Sequence, residues 1–124
     1  YENREHTIFL KDFRHKIELL REKYDSNSNF KYIIWGAGMH CYYAYELINN
    51  IFPSSKLQAI VDKYQTGEKL GVKIIKKNDM DSILFDHVFI TTAPGKDEAL
   101  AKMENLFGSE ANKHYTILIS QQKS

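Results

Sequence analysis

The stretch "KYIIWGAGMHCYYAYELI", Lys31 to Ile48, constrains this chain most. Phe30–Trp35 is a short run of β-branched and aromatic residues, and it reads as a buried strand. Residues 39–51 then change period. Cys41, Ala44, Tyr45 and Ile48 share one helical face with Leu47 and Ile51 beside it, and Pro53 with two serines closes the segment. Between strand and helix stands Gly36-Ala37-Gly38. A glycine without Cβ permits the sharp turn, and a second one lets the backbone come close to a phosphate. The free N–H groups and dipole at the helix start then favour an anion. The third glycine of the dinucleotide fingerprint is replaced by Cys41, which weakens the expectation of a tightly held pyrophosphate.

The rest of the chain alternates in the same way. Residues 5–24 read as a leading helix, with Phe9, Phe13, Ile17, Leu20 and Tyr24 on one face and Asp12 with Lys16 as a favourable pair one turn apart. "DSNSN", Asp25 to Asn29, ends it. Further strands are expected at Lys56–Asp62, Val72–Ile75, His87–Ala93 and Tyr115–Ser120. "YQTGEKLG" reads as a loop, and "NDMDSILF" as a brief helix capped by Asn78 or Asp79. A helix over 96–107 places Ala99, Leu100 and Met103 inward and stops at Gly108. Strand–helix alternation implies an α/β fold with a five-stranded parallel sheet, by default in the order 3-2-1-4-5. The expected division is a helix and linker over 1–29, a core domain over 30–120 and a disordered tail over 121–124.

The candidate site follows from this layout. In such a sheet ligands sit outside the carboxyl ends of the strands, where the strand order reverses. That implicates Gly36, Ala37, Gly38, Met39 and His40 at the helix start. Asp62, at the end of the second strand, stands where a ribose diol is held. Thr91 and Thr92 either line the crevice or satisfy local backbone. Lys63 and Lys69 either meet a phosphate or stand in solvent. Cys41 lies on the inward face and reads as a packed thiol in preference to a nucleophile. Tyr42, Tyr43 and Tyr45 form either a contact surface or an ordinary amphipathic face.

Composition excludes several classes. With 17 basic and 16 acidic side chains, no net field draws the chain to nucleic acid or an anionic membrane. One cysteine forms no intrachain disulfide and favours a reducing, cytoplasmic location. It also builds no zinc site, and the five histidines show no metal spacing. No apolar stretch approaches a membrane span. No P-loop, G-x-S-x-G elbow or Tyr-x-x-x-Lys pair is present, so the residues identify no reaction. The first residue is Tyr1, not Met, so a piece of a longer protein is expected.

Trp35–Gly38, Ile60–Asp62, Gly71–Ile74 and Phe89–Thr91, taken in order, resemble small Rossmann-like domains of surface-polysaccharide and nucleotide-sugar proteins. Such domains include the CoA-binding-like domain of nucleotide-sugar dehydratases, the N-terminal domain of sugar acyltransferases and the C-terminal domain of some sugar C-methyltransferases. The resemblance covers roughly residues 30–120 and implies a nucleotide or nucleotide-sugar ligand around Gly36, Gly38, Asp62 and Thr92. NAD or a nucleotide-sugar is the implied ligand. Two alternatives stay open. One is a fragment of an NAD-dependent dehydratase or a sugar methyltransferase lacking its catalytic half. The other is a protein–protein module that has lost its ligand, with a homodimer formed through the leading helix or the tyrosine cluster.

Overall fold

The computed structural model describes residues 4–119. The expected tail over 121–124 and the last residue of the expected fifth strand, Ser120, lie outside them. Helix α1, Arg4–Glu18, continues as a 3-10 turn over Leu19–Glu22. Strand β1, Lys31–Trp35, leads into helix α2, Met39–Ile51. Then come β2, Lys56–Val61, β3, Glu68–Lys69, and β4, Val72–Ile75. A 3-10 turn over Lys77–Ser82 precedes β5, His87–Ile90. Helix α3, Lys96–Phe107, a 3-10 turn over Gly108–Lys113 and β6, Tyr115–Ile117, complete the order.

The fold is mixed α/β, with one six-stranded, mostly parallel sheet in the order β3-β4-β2-β1-β5-β6. Strand β1 pairs in parallel with β2 and β5, β2 with β4, and β5 with β6. The expected count of five strands is corrected to six. The added strand, β3, pairs antiparallel with β4 through Lys69 and Val72. Leu70 and Gly71 form the two-residue connection with φ of 56° and 80°. Positive φ at both positions matches the twist of a tight hairpin. Leucine rarely adopts that conformation, which is why this segment reads as a loop in sequence.

Successive strand side chains point to opposite faces, and the sheet is covered on both. Tyr32, Ile34, Ile60 and Phe89 face α1 and α2, meeting Phe13, Ile17, Cys41, Ala44 and Ile48. Ile33, Trp35, Val61, Val88 and Ile90 face the other way, against Ala99 and Met103 of α3 and Met80. The apolar face of α1 is therefore used inside the chain: Phe13 and Ile17 are fully buried, and Phe9 packs edge-on to Tyr43 of α2. The expected helix over 78–85 is a 3-10 turn instead. Its N-cap is Lys76, whose N–H donates to the Asp79 carboxylate at 3.2 Å. Asp79 thus caps from inside the turn, and Asn78 keeps its side chain free of that role.

Candidate functional site

The carboxyl ends of β1, β2 and β5 open into a cleft of about 690 Å³. Gly36, Ala37, Gly38, Met39 and His40 form one wall, Asp62 a second, and Thr91 and Thr92 a third. Of the residues considered for the site, Lys63 and Lys69 are not among its walls. Lys63 lines a separate cavity on the α3 side of the sheet. Tyr64, Gln65, Ala93, Pro94 and Ile119 also line the cleft and were not singled out from sequence. Ala93 and Pro94 follow the two threonines directly, so the "TTAP" run is their signal. Nothing local in sequence marks Ile119, which arrives from β6 across the sheet.

The two glycines play different parts. Gly36 has φ of 119°, and a Cβ there would sit 2.7 Å from Thr91 Oγ1 and 3.0 Å from Thr92 Cβ. Any side chain at 36 would be strained in both backbone and contacts. Gly38 has φ of −83° and ψ of −163°, ordinary extended values, and a Cβ there would meet nothing within 4 Å. Nothing within the described chain requires glycine at 38; its bare face opens on the cleft. Gly38 is also the N-cap of α2, and no side chain caps the helix among the described residues. The Cys41 N–H turns back to the Gly38 carbonyl at 3.1 Å, and the N–H groups of Met39 and His40 at the start of this 13-residue helix lack intrahelical acceptors.

The Ala37 peptide is clamped from both sides. Its N–H donates to Asp62 Oδ1 at 2.9 Å. Its carbonyl accepts from the Lys69 ammonium, and from Gln65 Nε2 at 3.3 Å. The other Asp62 oxygen accepts the N–H groups of Tyr64 at 2.9 Å and Gln65 at 2.8 Å. Partial burial alone raises the Asp62 carboxyl; the bonds from Gln65, Ala37 and Tyr64, with the charge of Lys76, hold it below the usual carboxylate value. An ionised carboxylate offers about four acceptor sites, so one stays open. Lys76 fastens the same loop from outside, its ammonium donating to the carbonyls of Asp62, Lys63 and Gln65 at 3.0–3.2 Å. Lys69 is tied up in this clamp and lies 4.9 Å from the Tyr42 ring centre.

The threonines divide. Thr91 is buried, and its hydroxyl donates to the carbonyls of Trp35 at 3.1 Å and Gly36 at 3.3 Å. It satisfies local backbone. Thr92 is half-buried and its side chain faces the cleft. His40 packs tilted against Phe9, with ring centres 5.1 Å apart, and near Phe13 at 5.8 Å. Met39 and Tyr64 are large, apolar and exposed at the mouth. Cys41 is fully buried; burial pushes its thiol up to about 11, against the lowering influence of Lys69. It is a packing residue.

A family model described as C2185-like, N-terminal, matches residues 28–121. The chain belongs to the C2185-like N-terminal family. The matched span of this C2185-like domain runs from just before β1 to past β6, so it contains the whole sheet and every wall of the cleft. No curated protein matches the chain. Among the described residues no helix is long and apolar enough to cross a membrane.

Proposed function

We propose that this domain binds a nucleotide or nucleotide-sugar in the cleft at the carboxyl ends of β1, β2 and β5. One observation carries the reading: Gly38, free of any internal demand for glycine, lies bare at the uncapped start of α2 and faces the cleft. That is what close approach of a phosphate needs. The open acceptor site on Asp62 suits a ribose hydroxyl, and the Thr92 hydroxyl stands on the opposite wall. We read the parallel strands β4-β2-β1-β5-β6 as a Rossmann-like core, and β3 and α1 as additions to it. From the resemblance of the strand-end motifs we read such a module as part of a larger cytoplasmic protein of cell-surface polysaccharide biosynthesis, with NAD or a nucleotide-sugar as ligand.

The test is Gly38→Val with isothermal titration against NAD, UDP-sugars and CoA. Wild-type binding that the variant loses, with its unfolding midpoint held, is the expected result. Equal affinity in the two proteins removes the phosphate from this turn. No binding of any of the three by the wild type refutes the ligand class.

A further inference from the structure

A second cavity, of about 230 Å³, opens on the α3 side of the sheet and shares Asp62 as a wall with the cleft. Its apolar lining is Trp35 and Val61. Trp35 is only 4% exposed, but its indole N–H is not sealed from solvent and has no hydrogen-bond partner among the described residues, so it is a donor open to a ligand. Gly95 keeps that edge open, because a Cβ there would sit 3.6 Å from Nε1.

Three of the charges around the cavity are already committed. Lys77 pairs with Glu98 at 2.7 Å, and Lys76 is held by three backbone carbonyls. The ammonium of exposed Lys63 stands 5.8 Å from the Tyr64 ring centre. Beside the open acceptor site of Asp62 and the ammonium of Lys63, the unpaired groups are neutral: the Trp35 N–H and the carboxamide of Asn78, which makes no hydrogen bond among the described residues. One donor, plus a group that both donates and accepts, beside an apolar floor, fits the edge of an uncharged planar heterocycle.

We propose that this cavity is the base compartment of the nucleotide site, with the Trp35 N–H and the Asn78 carboxamide reading the edge of the base. The inference rests on the nucleotide reading of the cleft. Asp62 is the shared wall at which a ribose joins a phosphate at Gly38 to a base on the α3 side.

Trp35 is the only tryptophan, so its emission reports on this compartment directly. The probes are AMP, UMP and ribose 5-phosphate, each measured by calorimetry and by Trp35 fluorescence. At least one nucleotide should change the emission while ribose 5-phosphate does not. Asn78→Ala, at an exposed position, should keep the fold and weaken that nucleotide roughly tenfold, the loss of one good hydrogen bond, with ribose 5-phosphate unaffected. Calorimetric binding of a nucleotide with silent Trp35 emission and no effect of Asn78→Ala overturns the base compartment and leaves the nucleotide reading standing. Ribose 5-phosphate binding as tightly as both nucleotides does the same. Absence of heat with all three probes overturns both.

Discussion

Buried His87 should make this protein sensitive to mild acid. It begins β5, is 1% exposed, and bonds through Nε2 to Thr116 Oγ1 at 2.8 Å. Its Nδ1 is buried without a partner. Burial, reinforced by the charges of Lys23 and His114, pushes the imidazole down from 6.5 to about 3. The unfolded chain therefore binds one more proton than the native state between those two values, so stability rises with pH across that window and is lost as pH falls below 6.5. Integrating the proton difference gives a loss of about 2 kcal/mol from this one group between roughly pH 7 and pH 5. Further acidification costs about 1.4 kcal/mol per pH unit until the native imidazole titrates. The assay is urea unfolding from about pH 5 to 8 on wild type and His87→Gln, which keeps a neutral partner for Thr116 at every pH. The variant should be less stable at neutral pH but lose about 2 kcal/mol less on acidification. Both proteins carry the other four histidines, so the difference between the slopes isolates His87. Identical slopes, or a native His87 NMR titration near 6.5, would refute the reasoning.

Gly36→Ala should cost roughly 2–4 kcal/mol in chemical denaturation, since it combines positive φ with a clash against Thr91. A cost below about 1 kcal/mol would show that the turn relaxes freely. Gly38→Val should stay within about 1 kcal/mol of wild type, the range of a poorer N-cap, and should act on binding instead. Asp62→Asn should destabilise by about 1–3 kcal/mol at neutral pH, because one amide oxygen replaces a carboxylate that serves three N–H groups. The Asp62 contribution is fully present above the ordinary carboxylate pKa and disappears as pH falls through the lowered native one, so the two proteins should converge in strong acid. Cys41 should resist thiol reagents at mildly alkaline pH in the native state and react on unfolding; prompt native labelling would contradict its burial and raised pKa.

Sequence legibility followed the reach of each physical signal. Helices α2 and α3 occupy the residues that apolar periodicity marks, 39–51 and 96–107, because a helix with one buried face writes its period into the chain. The β-branched runs mark β1, β2, β4, β5 and β6, though β2 ends at Val61, β5 at Ile90 and β6 at Ile117, each earlier than the run suggests. Strand β3 is two residues long and joined through a leucine at positive φ, so neither length nor turn chemistry announces it. The 3-10 turn over "GSEANK" carries no apolar repeat. Within the site, the misplaced lysine lies beyond the reach of strand periodicity, because β2 ends at Val61 and the chain bends at Lys63: Asp62 borders both cavities, and Lys63, one residue on, lines only the one on the α3 side.

The larger revision concerns Asp62. From sequence it is a ribose ligand and little else. In the structure three of its roughly four acceptor sites hold backbone, one of them the N–H of Ala37 between the two glycines. A donor that a free turn would offer to an anion is therefore already bonded to a carboxylate, and the neighbouring carbonyl is fixed by Lys69 and Gln65. The anion-binding capacity of the turn falls to the N–H groups beyond it, at the start of α2, beside Gly38. Loss of affinity in an Asp62 variant accordingly mixes ribose contact with release of the turn. Gly38 makes no such structural bond through a side chain, so substitution there separates recognition from folding, and it is the position at which the proposed site stands or falls.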